Sequence, residues 1–139
     1  MALNIRKARR TIRLNDDPDS PAYVLDLTDS SMQEKGSMIA TCVADFERYR
    51  TLFEDPEANL PELQKKLAVT YGALISAFLG RDAYREIVEY VTDGDPEVGE
   101  AEVNVLLTPL VVYLVAEYAE TMEYDERIMG RYLGAAYAI

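Results

Sequence analysis

The side chains that carry out most enzyme chemistry are scarce in this chain. It contains no histidine and a single cysteine, Cys42. Without an imidazole the chain can form neither a serine–histidine–aspartate triad nor a cysteine–histidine pair, and it lacks the commonest nitrogen ligand for metal ions. Cys42 lies among Ile39, Val43 and Phe46, which is typical of a small buried side chain and not of a reactive thiolate. The sequence therefore predicts no nucleophilic catalysis.

Carboxylates are the remaining groups that could react, and they form three short clusters. Residues 16–19 lie in a proline-rich turn whose spacing does not match an EF-hand loop. Residues 93–97 follow a predicted helix end, where acids act as caps, and residues 117–123 place glutamates at i, i+3 and i+6, as on a solvated helix face. Residues 94–99 lack the lysine and hydroxyl of a phosphate-binding loop. We expect no metal ion, no cofactor and no enzymatic activity.

Charge is distributed unevenly along the chain. Five of the 14 basic residues lie within the first 13 positions and the first acid is Asp16, so the remainder carries 25 acids against nine bases, a net charge of −16. Such a body repels phosphate backbones, and binding to nucleic acid is not expected. Residues 1–10 are predicted to form a flexible basic arm, which could contact an acidic partner, RNA or the acidic body of its own chain.

The cellular location is inferred from what the sequence lacks. A lone cysteine cannot form an internal disulfide, so nothing indicates an oxidising compartment. Residues 12–15, which follow the basic arm, do not form the apolar region of a secretory signal. The longest apolar stretch, residues 103–116, spans 14 residues, short of the roughly 20 needed to cross a bilayer. These observations predict a soluble cytoplasmic protein without membrane association.

Strand patterning is confined to the N-terminal part of the chain. Residues 11–15 alternate polar and apolar side chains, and residues 22–28 place Tyr23, Leu25 and Leu27 on one face of a second strand. The connection over residues 16–21 contains two prolines and several aspartates, which are common in turns. Because an isolated hairpin is marginally stable in water, its apolar face should pack on helices.

Helical spacing dominates after residue 30. The first predicted helix has an apolar stripe that recurs every seven positions: Met32, Ile39, Phe46 and Phe53. The stripe favours an amphipathic helix packed on its own core, with an intermolecular coiled coil as the alternative. Ser30 with Gln33, and Ser31 with Glu34, each fit a capping box at its start. Two further helices are predicted over residues 61–79 and 82–91.

The last third of the chain is strongly apolar. Residues 100–122 are apolar on nearly every face, which is typical of a central buried helix, although a buried strand is an alternative. Pro109 should kink this helix or mark its start. Residues 128–139 form an apolar tail in which Gly130 and Gly134 discourage a rigid helix. The tail could pack on its own core or dock on a partner, and its candidate partner-binding residues are Ile128, Met129, Tyr132, Leu133, Tyr137 and Ile139.

These patterns together predict one domain over residues 1–139, in the α+β class and mainly α. The basic arm (residues 1–10) precedes a short β-hairpin (residues 11–28). A helical body over residues 30–127 then forms a bundle of about four to five helices, and the apolar tail (residues 128–139) ends the chain.

Three short sequences in this order of elements resemble the tail assembly chaperones of long-tailed bacteriophages and prophages. The second strand reads Tyr-Val-Leu-Asp-Leu-Thr-Asp (residues 23–29), the first helix contains Phe-Glu-Arg-Tyr (residues 46–49), and residues 78–87 read Phe-Leu-Gly-Arg-Asp-Ala-Tyr-Arg-Glu-Ile. In that family a strand reading roughly tyrosine-x-leucine-aspartate-phenylalanine-x-aspartate precedes helices. A phrase like phenylalanine-glycine-x-x-alanine-tyrosine-x-x-isoleucine then precedes a short loop and the last apolar helix. The resemblance covers residues 11–120.

The resemblance implies a non-enzymatic assembly factor in the cytoplasm of a bacterial host cell. Proteins of that family keep the long helical tape-measure protein soluble and help to recruit tail-tube subunits, and they are absent from the finished particle. The family has no catalytic residues to carry over. A protein partner is therefore expected, and association with further copies of the chain is a second expectation.

An alternative function comes from the net charge. A small acidic protein could be an inhibitor or an antitoxin that covers a basic partner or mimics nucleic acid. Mimicry requires acids in spaced rows on an exposed face. Many acids of this chain lie instead in predicted loops and caps, which favours the assembly factor.

Overall fold

The computed structural model describes the backbone of residues 7–137 and the side chains of residues 7–122. Within these limits the chain forms two strands followed by four helices, which confirms the predicted α+β, mainly α class. The elements in chain order are β1 (Arg9–Arg13), β2 (Ala22–Asp26), α1 (Asp29–Phe53), α2 (Leu60–Leu79), α3 (Ala83–Thr92) and α4 (Glu100–Tyr137).

The two strands pair antiparallel, with Ile12 opposite Tyr23 and Arg9 opposite Asp26. Leu25 is fully buried while its neighbour Val24 is exposed, so the alternation in β2 sets which face packs on the helices. The pairing begins at Arg9, two residues earlier than predicted. Part of the predicted flexible arm is thus strand, because the cross-strand ladder continues as far as β2 offers partners.

The start of α1 differs from the sequence prediction. Thr28 is its N-cap and accepts a hydrogen bond from the Ser31 backbone nitrogen at 3.4 Å, so Ser30 and Ser31 lie inside the first turn. Asp26 Oδ1 in turn accepts from the Thr28 nitrogen at 3.0 Å. The extended backbone that ends β2 places Thr28 at the cap before either serine can occupy it.

The central element of the body is α2. Asn59 caps its first turn through the Glu62 nitrogen, and Gly80 ends it at a φ of 114°, a backbone conformation that favours glycine. The short connection from α1 makes α1 and α2 antiparallel neighbours. Three side-chain contacts join α2 to α4 in the same chain direction: Gln64 with Asn104, Tyr71 with Thr108, and Phe78 with Tyr118. α2 and α4 therefore run parallel, with α3 as the crossover between them.

α4 is less buried than predicted. Its core-facing side is a single stripe, Val103, Leu107, Val111 and Leu114, while apolar residues on its other side are exposed. The prediction of a central buried helix is wrong, because α2 and α3 cover only one side of it. The helix continues through Pro109. The carbonyl that this proline leaves without a donor belongs to Val105, which is exposed and can be solvated.

The backbone of α4 also continues through Gly130 and Gly134 to Tyr137, beyond the predicted end of the helical body at residue 127. Two glycines cost about 1 kcal/mol each in a helix interior relative to alanine, which is too little to interrupt a helix whose other residues favour it. At 1.5 Å per residue α4 is roughly 57 Å long, nearly twice the roughly 30 Å of α2.

Candidate binding surface on α4 and the groove between α1 and α4

Groups that could react are held in structural roles. The Cys42 thiol is buried and lies 3.9 Å from the Thr70 carbonyl oxygen. Burial, with a smaller contribution from Asp45, raises the pKa of this thiol, so a thiolate is disfavoured at neutral pH. Asp17 and Asp95 accept hydrogen bonds from backbone nitrogens two residues later, in the turns where the sequence predicts them. Among the residues that the structure describes, no cluster of acids or thiols could hold a metal ion.

The most unusual surface of the described chain is the solvent-facing side of α4. Val105 is 71% exposed, Val112 60% and Leu106 50%. Exposed apolar or small residues recur along this side at spacings of 4, 3, 4 and 3, and together they form the outer seam: Val105, Pro109, Val112, Ala116 and Ala119. A spacing of this kind is the pattern by which one helix packs against another. The outer seam has no packing partner within the described part of the chain.

Hydropathy leads to the same segment. Glu100–Met122 spans 23 residues, reaches a mean hydropathy of 1.4, and by length and composition could cross a membrane. This segment is longer than the 14-residue apolar stretch, residues 103–116, from which the sequence predicted no membrane span. Only 22% of the 18-residue apolar window in this segment is buried, whereas the core helix of a globular protein is mostly covered. The same composition suits a helix that packs against another protein.

A groove lies between α1 and α4, with α2 as its floor, and we call it the α1–α4 groove. It has a volume of about 500 Å³. Leu67 and Tyr71 form the floor, and the Tyr71 ring meets the Phe46 ring edge to face at 5.5 Å. Its walls are Phe46, Tyr49, Arg50 and Phe53 from α1 and Val111, Val112, Val115, Ala116 and Ala119 from α4. The groove is therefore apolar, and three residues of the outer seam belong to its α4 wall.

Among the residues whose side chains the structure describes, Arg50 is the only charged one that lines the groove. Its guanidinium lies 3.7 Å from the Glu47 carboxylate, and both side chains are largely exposed. Such a pair is weak because water screens it. Arg50 is consequently at the rim of the groove and does not make its interior polar.

A second cleft, of about 950 Å³, lies between the hairpin, α3 and α4 and has a mixed polar and apolar lining. The hairpin is held across it by single polar contacts. Asn15 Nδ2 donates to the Tyr90 hydroxyl at 2.8 Å, and Arg10 pairs with Glu117 of α4. Arg10 belongs to the predicted basic arm, so at least this arginine contacts the acidic body of its own chain. That was one of the three partners which the sequence left open.

The hairpin also contacts α3 through Tyr23. Its hydroxyl donates to Glu86 Oε1 at 3.2 Å. Partial burial and the neighbouring carboxylate raise the pKa of Tyr23 to about 12. The phenol therefore stays protonated at neutral pH and acts as a hydrogen-bond donor.

The predicted partner-binding residues fall at the far end of α4. Ile128, Met129, Tyr132, Leu133 and Tyr137 lie on its helical backbone, although their side chains are outside the described part of the structure. Ile139 lies outside the described residues altogether. The prediction that they bind a partner stays a prediction.

Sequence reasoning missed the outer seam and the groove. One signal was present: Val105, Val112 and Ala119 recur at intervals of seven, and Leu133 lies two further intervals along the same register. The apolar residues on the other faces of α4 hid this repeat.

Comparisons with protein-family models, with curated proteins and with solved structures find no match to this chain.

Proposed function

We propose that this chain is a non-enzymatic assembly factor that binds a helical protein client, as the phage tail assembly chaperones that it resembles do. The observation that carries the proposal is the exposed outer seam of α4. Val105 and Val112 lie on a long, regular helix with most of their surface in water. Contiguous exposed apolar surface of this kind marks protein–protein contact sites.

The outer seam and the groove suit a helix better than a compact folded surface. Helix-in-groove recognition uses apolar anchors at i, i+3, i+4 and i+7, which match two apolar walls separated by a floor. Burying one exposed valine or leucine side chain contributes about 1.5–3 kcal/mol before ordering costs. Three or four such contacts contribute roughly 5–12 kcal/mol before those costs, so the net binding is weak and reversible, as an assembly factor that is later displaced requires.

The resemblance supplies the class of client. In the phage family the clients are the tape-measure protein, which is a long helical protein, and tail-tube subunits. Proteins of that family keep the tape-measure protein soluble, help to recruit the tube subunits and are then displaced. On this proposal the chain acts in the cytoplasm of the bacterial host, with a protein as its partner and with no cofactor, metal ion or nucleic acid.

The test is co-expression with the product of a long, repetitive helical reading frame encoded beside the gene of this chain. The expected result is a soluble fraction of the client that rises several-fold, with both chains co-eluting in size-exclusion chromatography. An unrelated acidic protein of similar size and net charge is the control. If the client stays insoluble and does not co-elute, the proposal fails. If the chain instead neutralises a small basic toxin when the two are co-expressed, the inhibitor function replaces the assembly function.

A further inference from the structure

We infer that the α1–α4 groove receives one amphipathic helix with basic flanks. The inference rests on the proposed function and names the partner chemistry and the site for it. Three features of the described residues carry the argument: the open position beside α2, the small residues on the α4 wall, and the charges around the rim.

The first feature is the arrangement of the helices. α1 and α4 both pack on α2, and the half-buried Leu67 and the buried Tyr71 of α2 line the floor of the groove between them. A helix with its side chains is about 10 Å across and packs at 8–10 Å from its neighbours. A helix laid along the groove would contact α1, α2 and α4 at once. It would take the open fourth position of a bundle around Tyr71.

The second feature is the shape of the α4 wall. Ala116 and Ala119 follow Val112 along the groove, and their small side chains let a partner backbone approach closely. The aromatic residues Phe46, Tyr49 and Phe53 on the α1 wall then provide the larger contact area. The outer seam from Val105 to Ala119 is roughly 21 Å long at 1.5 Å per residue, so the partner helix needs about four turns.

The third feature is charge. Glu54 follows Phe53 on the α1 wall and Glu120 follows Ala119 on the α4 wall, and both are exposed. The nearby cations are partly offset, because Arg50 pairs with Glu47 and Arg48 pairs with Asp45. The chain after residue 13 carries a net charge of −16. Basic residues on the flanks of an incoming helix would therefore be attracted. A second copy of this chain would bring the same acidic flanks together, and an anionic lipid surface would be repelled as well.

The test uses two synthetic peptides of about 18 residues with leucines at i, i+3, i+4 and i+7. One carries lysines on its flanks and the other glutamates. Binding to the full chain is measured by fluorescence anisotropy at about 150 mM salt, where surface charges act over roughly 8 Å. The lysine peptide should bind at least about tenfold more tightly, and its affinity should fall as salt rises.

Three variants locate the site. Val112→Lys places a cation on the apolar wall and should weaken binding of the lysine peptide by about tenfold or more. Val69→Lys is the matched control, because Val69 is 73% exposed on α2 and does not line the groove. It should leave the affinity unchanged. Arg50→Glu removes the only cation on the lining and should tighten binding a few-fold. Each substituted side chain is exposed, so the melting temperatures should match that of the parent chain.

Several outcomes would overturn the inference. Equal affinity for the two peptides would refute the preference for basic flanks, and full affinity after Val112→Lys would place the site elsewhere. A dimer in sedimentation velocity that Val112→Lys dissociates would make a second copy the occupant. Binding to neutral phosphatidylcholine vesicles that Val112→Lys abolishes would make it a lipid surface. If the client becomes soluble on co-expression but neither peptide binds, the groove is not the binding site and the proposed function stands. If the lysine peptide binds as expected but the client stays insoluble, the groove binds helices and the proposed function is refuted.

Discussion

Asn104 shows how a single polar residue determines the way two helices meet. It is only 2% exposed, on the otherwise apolar core stripe of α4. Its Nδ2 atom donates to the Gln64 backbone oxygen at 3.0 Å and to Gln64 Oε1 at 2.8 Å. Its Oδ1 atom is buried and has no hydrogen-bond partner in the described structure. Because these bonds form only at one relative position, they set the register of α4 along α2.

Replacing Asn104 by alanine should destabilise the fold. The substitution removes both hydrogen bonds to Gln64 and leaves its half-buried Oε1 atom without this donor, at about 1–3 kcal/mol, offset partly by the loss of the unpaired Oδ1. The melting temperature should fall by roughly 4 °C or more. The same substitution at Asn15 is the control, because the Asn15 bond to Tyr90 is exposed. A thermal melt in which Asn15→Ala costs as much as Asn104→Ala would contradict this account.

Cys42 offers a measurement of burial with no substitution. The raised pKa and the buried position both lower the fraction of accessible thiolate. Alkylation by iodoacetamide at pH 8 should be at least about a hundredfold slower in the native chain than in denaturant. As the only cysteine of the chain, Cys42 makes the reaction straightforward to interpret. Comparable rates in the two states would mean that the contact of α1 with α2 opens readily.

At the scale of elements, the start of α1 depends on the strand before it. Asp26 at the end of β2 accepts from the Thr28 nitrogen, and Thr28 caps the helix. The hydrogen bonds to Thr28 are the main cause that lowers the pKa of Asp26, followed by weaker effects such as the nearby Arg9. The hairpin and α1 are thus joined by a continuous set of short-range bonds.

Thr28→Ala should therefore lower the free energy of unfolding by about 1 kcal/mol, the usual contribution of an N-cap. Ser30→Ala is the matched control, since Ser30 is exposed within the first turn and makes no cap. It should change stability by a few tenths of a kcal/mol at most. Chemical denaturation of both variants distinguishes the cap in the structure from the capping box that the sequence predicted. The reverse order of effects would restore the sequence prediction.

At the scale of the whole molecule, α4 is much longer than α2, the helix on which it packs. The α4 side chains that pack on the core run from Val103 to Tyr118. The helical backbone then continues to Tyr137. α2, which runs parallel to α4, ends at Leu79, close to the level of Tyr118. The last turns of α4 therefore extend beyond the end of α2.

Deleting residues 128–139 should leave the cooperative melt of the body within a few degrees of the parent chain. Binding to the helical client, or self-association, should weaken, because the deletion removes the predicted contacts of Ile128 to Ile139. Leu114→Ala is the contrasting variant. It removes a fully buried side chain of the same helix and should cost about 2–5 kcal/mol. Loss of the cooperative melt in the truncated chain would assign the tail to the core and refute the docking role.

The sequence alone determined those features of this protein that depend on neighbours along the chain. The alternation in β2 and the helical spacing of residues 61–79 are local, and the structure agrees with both of them. The lack of histidine likewise needs no fold to exclude imidazole chemistry. Even so, the cap of α1 was predicted two or three residues late, at Ser30 or Ser31, because Thr28 becomes a cap only once β2 has ended.

The tertiary structure decided which side of α4 is buried. Valine or leucine occurs on almost every face of α4, so the sequence does not indicate which face is buried. It cannot distinguish the core stripe that contains Leu107 from the outer seam that contains Val112. That choice is made by the parallel packing on α2 and by the bonds between Asn104 and Gln64, two residues 40 positions apart. The α1–α4 groove follows from the same choice, since it exists only where α1 and α4 lie on either side of α2.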